Sequence, residues 1–176
     1  VDTSPSKEGT GLYSSLAFDR AGSPRVSYYD TRNHRIMYAQ GTADGWTAES
    51  VADTAGTSTT SLALTPSGNP ASSFGNGLHY GNLMYAIKNG THWDVSRING
   101  GTAGDAGEYS SLAFDVSGRP HVAYNDGHNF ASLKYAVSNG TGWEISMVDN
   151  NAVVGDTGYD ASLVLDAGSR PAIAYR

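Results

Sequence analysis

Apolar and small residues alternate through short stretches of this chain, and the stretches come back at a fixed spacing. In Ser15-Leu16-Ala17-Phe18 and in Pro24 to Tyr29 the alternation has the two-residue period of a strand with two unlike faces. The turn Asp19-Arg20-Ala21-Gly22-Ser23 joins them. After the polar loop Asp30 to Arg35 comes a third short strand, Ile36-Met37-Tyr38-Ala39, and after Gly45 a fourth, Trp46 to Val51. Helical periodicity is absent throughout.

The same frame then repeats. The anchor leucines Leu16, Leu62, Leu112 and Leu163 are 46, 50 and 51 residues apart, and Pro24, Pro70, Pro120 and Pro171 keep the same intervals. Leu83 to Ala86 and Leu133 to Ala136 recur as the third strand, and Trp93 to Ser96 and Trp143 to Ser146 as the fourth. Asn89-Gly90 and Asn139-Gly140 stand between them as hairpin signals, because both residues accept positive φ. The units predicted are 1–50, 51–97, 98–147 and an incomplete 148–176. A four-stranded antiparallel meander repeated at 45 to 50 residues is the blade of a β-propeller. The fold class is therefore all-β, with about three and a half blades in a partial ring; doubling that number gives seven. The first strand of each blade is expected innermost and the fourth outermost, with exposure rising between them.

An open row of blades leaves sheet faces and edges uncovered. The reading at this stage is a segment whose propeller is completed by a second polypeptide, either another copy or the remainder of a parent protein.

Composition narrows the partners. Of 176 residues, 11 are Lys or Arg and 17 Asp or Glu, and the net charge of −6 has no basic face to offer a nucleic acid. Cysteine is absent, so disulfides play no part. No apolar run approaches the length that spans a bilayer.

Residues that recur in every unit read as framework. Asp19, Asp115 and Asp166 open the first turn of their units, where Asp accepts from backbone N–H groups two residues on, and Thr65 replaces them in the second unit. Trp46, Trp93 and Trp143, with Tyr38, Tyr85 and Tyr135, read as aromatics packing blade on blade. The Asn-Gly-Thr triplets match glycosylation acceptors but are explained by hairpin turns.

The residues that do not recur point to a site. The second-to-third and fourth-to-first connections emerge at one end of a meander. They hold Asp30, His34, Asn76, His79, Asp126 and His128, joined by Tyr109 and Tyr159 and by Tyr13, Asp105, Glu108 and Asp156. An acidic and aromatic rim of this kind suits a sugar or a cation, since hydroxyls want acceptors and sugar faces stack on rings. No cofactor is expected. The loops lack the alternating ligand spacing of a calcium loop, which keeps calcium a remote option, and the histidines lack zinc-ligand spacing.

The pattern S-L-x-x-D-x-x-G-x-P-x-x-x-Y, followed by Y-A and then N-G-T-x-W, resembles propeller repeats of large bacterial secreted or surface proteins. It is loosely similar to sialidase-like propellers. The resemblance implies an extracellular or cell-surface location. A true Asp box would set Trp close behind Ser, Asp and Gly at one turn; here Asp115 and Trp143 belong to different elements, and no glycosidase residue is assigned. The function expected is a non-catalytic binding or scaffold module directed to carbohydrate or protein. The alternative is part of a glycosidase- or lyase-like hydrolase with active-site residues partly outside the chain.

Overall fold

A computed structural model describes residues 9–56, 59–77, 81–99, 106–127, 132–150 and 157–176. Its elements are strands in three four-stranded antiparallel sheets and one two-stranded sheet, each in simple meander order. The first blade holds β1 (Thr10–Phe18), β2 (Pro24–Asp30), β3 (Arg35–Thr42) and β4 (Gly45–Asp53). The second holds β5 (Thr60–Leu64), β6 (Pro70–Asn76), β7 (Asn82–Asn89) and β8 (His92–Asn99). In the third are β9 (Ala106–Phe114), β10 (Pro120–Asp126), β11 (Ser132–Ser138) and β12 (Trp143–Asp149), and β13 (Ser162–Leu165) pairs with β14 (Pro171–Ala174). The fold is a β-propeller of about three and a half blades. No helix among the described residues is long and apolar enough to cross a membrane.

The core lies between blades rather than within one. Tyr29, Ile36, Tyr38 and Val51 of the first blade meet Leu62, Phe74 and Ala86 of the second. Ala71, Leu83, Tyr85 and Ile98 of the second meet Leu112, Val122, Tyr124 and Ala136 of the third. A pleated sheet buries one set of side chains against each neighbour, so each blade is half of two cores.

One hydrogen bond is repeated at every seam. Ser15 Oγ accepts from the Leu62 N–H at 2.9 Å, Ser61 Oγ from Leu112 at 3.0 Å, and Ser111 Oγ from Leu163 at 3.0 Å. The serine before each anchor leucine thus holds the next blade's leucine, which accounts for the Ser-Leu pair in the repeat. These contacts bring β1, β5, β9 and β13 together as the innermost strands. Farther out, the Trp93 ring meets Tyr38 edge-on at 5.4 Å and Trp143 meets Tyr85 at 5.4 Å.

Three details differ from the sequence reading. Exposure does not rise steadily outward: in the second blade β6 and β7 are the most buried, β5 is partly buried and β8 largely exposed. The innermost strand borders the axial opening, which admits solvent. The innermost strands start earlier than the frame of Ser15 to Phe18 indicates, β1 at Thr10 and β9 at Ala106. In the hairpins only glycine takes positive φ, 62° at Gly90 and 90° at Gly140. Asn139 stabilises its turn by a side-chain route, its Oδ1 accepting from the N–H groups of Thr141 and Gly142 at 3.1 and 2.9 Å.

The turn aspartates hold the first hairpin of their blades. Asp115 Oδ1 accepts from the Ser117 and Arg119 N–H groups at 2.9 and 2.8 Å and from the Ser117 hydroxyl at 2.7 Å. Asp19 and Asp166 repeat the backbone part. In the second blade Thr65 Oγ1 accepts from Asn69 at 2.9 Å.

Candidate functional site

The innermost strands open with an irregularity that builds the mouth of the ring. Gly11 and Tyr13 have φ of 98° and 52°, Gly107 and Tyr109 of 101° and 51°, and Gly158 and Asp160 of 95° and 52°. Pairing slips at these points, between Thr10 and Ser15 on β1 and opposite Ala123 to Asp126 on β10. A glycine followed two residues later by a left-handed residue is a bulge that turns the strand's side chains aside. Left-handed tyrosine and aspartate are uncommon, and such outliers gather at functional sites.

Three residues before each anchor leucine, the chain therefore presents Tyr13, Thr59, Tyr109 and Asp160. With their successors Ser14, Thr60, Ser110 and Ala161 they line an open cleft of about 240 Å³. The same two positions from each of the four units meet there, which places the cleft on the axis.

Inter-blade bonds fix its walls. The Tyr109 N–H donates to Thr59 Oγ1 at 3.1 Å, and the Thr60 hydroxyl donates to the Tyr13 carbonyl at 3.2 Å. Behind them Ser27 and Thr60 share a hydroxyl bond of 2.6 Å, and Ser73 and Ser110 one of 2.9 Å. Tyr109 packs edge-on against Tyr159 with centroids 5.1 Å apart. Burial, and after it the charges of Glu108 and Asp160, push the Tyr109 hydroxyl pKa up and keep it a neutral donor. Asp160 lies 3.3 Å from the Arg176 guanidinium.

The polar residues of the adjoining loops take other places. Asp30 is 4% exposed and folded into its own loop: its Oδ1 accepts from the N–H groups of Arg32 and Asn33 at 3.0 and 3.3 Å, its Oδ2 from the Asn33 amide at 2.7 Å. Burial opposes its charge, but the Asn33 side chain, those N–H groups and Arg35 outweigh it and lower its pKa. Asn76 Oδ1 accepts from the Ala55 N–H at 3.1 Å, and Asp126 pairs with Lys134. His34 is exposed, at φ 52°, with Nδ1 2.8 Å from the Tyr29 hydroxyl. Its carbonyl accepts from the Thr54 N–H at 2.7 Å, which joins the fourth-to-first connection to the second-to-third loop at one end of the blade. His79 and His128, with Asp105 and Asp156, lie outside the described residues.

Of the sequence candidates, Tyr109 and Tyr159 come together at the axis with Tyr13. Asp30, Asn76 and Asp126 hold loops or ion pairs. Ser14, Thr59, Ser110 and Asp160 were not singled out by sequence, although a count of three back from each anchor leucine finds their column. Among the described residues no group of three His, Asp or Glu is placed to hold a metal.

No family model matches the chain, and no curated protein resembles it in sequence. Solved structures share its fold. The Aleuria aurantia lectin, as an N224Q mutant in complex with Fucα1-6GlcNAc, superposes with a TM-score of 0.63 at 18% identity, over 94% of this chain and 57% of that one. An α-L-arabinofuranosidase from Fusarium graminearum gives 0.65 at 13% identity, over 94% and 61%. A fucose lectin from Kordia zhangzhouensis gives 0.51 at 12% identity, over 76% of this chain and 96% of that one. The chain thus spans about six tenths of the length of the first two proteins. At these identities the likeness is one of fold.

Proposed function

We propose that this propeller is a non-catalytic carbohydrate-binding module acting at or outside a bacterial cell surface, with its ligand at the axial mouth. One observation carries the reading: a 240 Å³ cleft on the axis, walled by the rings of Tyr13 and Tyr109 and by serine and threonine hydroxyls. Sugar rings stack on aromatic faces while their hydroxyls exchange hydrogen bonds with such groups. Tyr13, 47% exposed, is free to take a ligand. The likeness to proteins described as fucose lectins supports a glycan, and the arabinofuranosidase keeps hydrolysis as the competing outcome. The carboxyl groups of Asp19, Asp30, Asp115 and Asp166 are held below the usual carboxylate range by their hydrogen bonds, opposite to a general acid.

Glycan-array screening followed by calorimetry tests this. Each ring removed is expected to cost roughly 1 kcal/mol, so Tyr13→Ala with Tyr109→Ala weakens the best glycan by on the order of ten-fold or more. Undiminished binding by the double variant overturns the mouth as the site. Release of reducing sugar by the native chain overturns the non-catalytic reading.

The assembly proposed earlier finds support in the first blade. Leu16 is 58% exposed, whereas its counterparts Leu62, Leu112 and Leu163 are 5 or 6% exposed under a preceding blade. Phe18 and Trp46 share that open face, at 61% and 41%. We propose that a blade-like face of further polypeptide, another copy or the remainder of the protein, covers it. Sedimentation is expected to show a species above 18.4 kDa; a stable folded monomer refutes the proposal.

A further inference from the structure

The two complete seams between blades carry the same outer cleft, closed in one and open in the other. At the first seam Glu49 pairs with Lys88 and accepts from the Trp93 indole N–H at 3.1 Å. The Lys88 ammonium lies 5.9 Å from the Tyr38 ring centroid and 5.8 Å from that of Trp93. Arg25, itself held by Asp19 at 2.6 Å, brings its positive charge to the Tyr38 hydroxyl. What space remains is about 60 Å³.

The second seam keeps the aromatic pair, Trp143 on Tyr85, and replaces every group that satisfied it. Glu49 is opposite Tyr38 on its sheet, and Ser96 is opposite Tyr85. Lys88 is opposite Trp93, and Ser138 is opposite Trp143. Arg25 follows Pro24, and Ala71 follows Pro70. In the third blade the equivalent of Arg25 is His121, which bonds the Tyr135 hydroxyl, so the second blade alone has lost that support. The cleft widens to about 310 Å³, lined by Tyr85, Ser96, Arg97, Ser138, Thr141 and Trp143 among others.

Three donors there have no partner among the described residues: the Tyr85 hydroxyl, the Trp143 indole N–H and the Arg97 guanidinium. Tyr85 is only 8% exposed, and a buried hydroxyl without a partner is costly. Burial alone pushes its pKa up, so it stays a donor at any physiological pH. A 310 Å³ cavity falls within the range of small-ligand pockets.

We propose that the cleft between the second and third blades is a second binding site, specific for a sugar that carries a carboxylate, with Arg97 on the carboxylate and Tyr85 and Trp143 donating to ring or hydroxyl oxygens. Donors without acceptors select an acceptor-rich ligand. Guanidinium matches the planar carboxylate with two parallel bonds. Ser96, Ser138 and Thr141 meet sugar hydroxyls in either sense. The site is separate from the axial mouth and does not depend on it.

Calorimetry of the chain with glucuronic acid and with glucose tests it. Glucuronate is expected to bind, and glucose at least about ten-fold more weakly. Arg97→Gln, at an exposed position, is expected to bring glucuronate to the level of glucose. Ser96→Glu with Ser138→Lys transplants the closing pair of the first seam; it is expected to abolish glucuronate binding while leaving any glycan binding at the mouth intact. Failure of the mouth variants and failure of this pair are thus separate outcomes. The proposal is overturned if glucuronate does not bind, if glucose binds equally well, or if the transplanted pair or Arg97→Gln leaves glucuronate affinity unchanged in a protein with native thermal stability.

Discussion

Gly107→Ala is expected to destabilise the protein by about 3 kcal/mol or more and to dislodge Tyr109 from the mouth. A methyl group there would stand 2.7 Å from the Leu83 Cα and 2.8 Å from its Cβ. Both neighbours are fixed, since Leu83 is fully buried in the centre of the second blade. The backbone adds to the clash, because φ at Gly107 is 101°. Gly11 separates the two terms. It occupies the same bulge position at φ 98°, with nothing within 4 Å of its added methyl. Gly11→Ala should cost only the conformational part, about 1–2 kcal/mol. Urea unfolding of the two variants checks the difference, and equal losses would mean that Leu83 yields.

The second large effect is expected at Asp115. The side chain is 1% exposed and accepts from Ser117 and Arg119; its Oδ2 is 2.7 Å from Arg119 Nε and 3.4 Å from His121 Nε2. Asp115→Ala removes the acceptor that holds the turn and leaves His121, 3% exposed, without its carboxylate partner, and should cost about 1–3 kcal/mol. Asp115→Thr should cost less, because Thr65 already keeps part of the turn in the second blade. Burial opposes the charge on Asp115, but the bonds from Ser117, Arg119 and His121 win and hold its pKa well below the ordinary 3.8. A carboxyl group whose pKa is lower folded than unfolded stabilises the protein above the unfolded value and loses that contribution as pH falls below it. The native chain should therefore weaken as pH drops below 3.8, and the alanine variant should show a flatter acid limb in thermal melts.

The fold was legible because its repeat writes each strand several times. Leu, Pro, Tyr and Trp mark the inter-blade contacts, and a contact that every seam needs leaves a column in the sequence. β2 and β14 begin at the prolines, where a missing N–H is harmless at a strand's first residue. The start of β9 was hidden because the bulge at Gly107 and Tyr109 breaks the two-residue alternation that announces a strand. The mouth was half legible. Tyr109 and Tyr159 stand out in the sequence as non-recurring aromatics, whereas sequence does not show that Asp30 folds into its own loop or that Asp126 pairs with Lys134. The open outer cleft needed a different comparison. Its signal is the loss of the Arg25, Glu49 and Lys88 equivalents at one seam, spread over two units, which means something only once those three are known to lie around one tyrosine.

The bond between blades has a direction: the leucine N–H of the second, third and fourth units donates back to the serine hydroxyl oxygen of the unit before it. A seam therefore reads the same whichever two units meet in that order. Duplication or loss of a whole unit leaves this bond intact at each junction, because serine and leucine stand side by side in all four units. The residues that differ from unit to unit remain free to diverge, as the open and closed clefts have done.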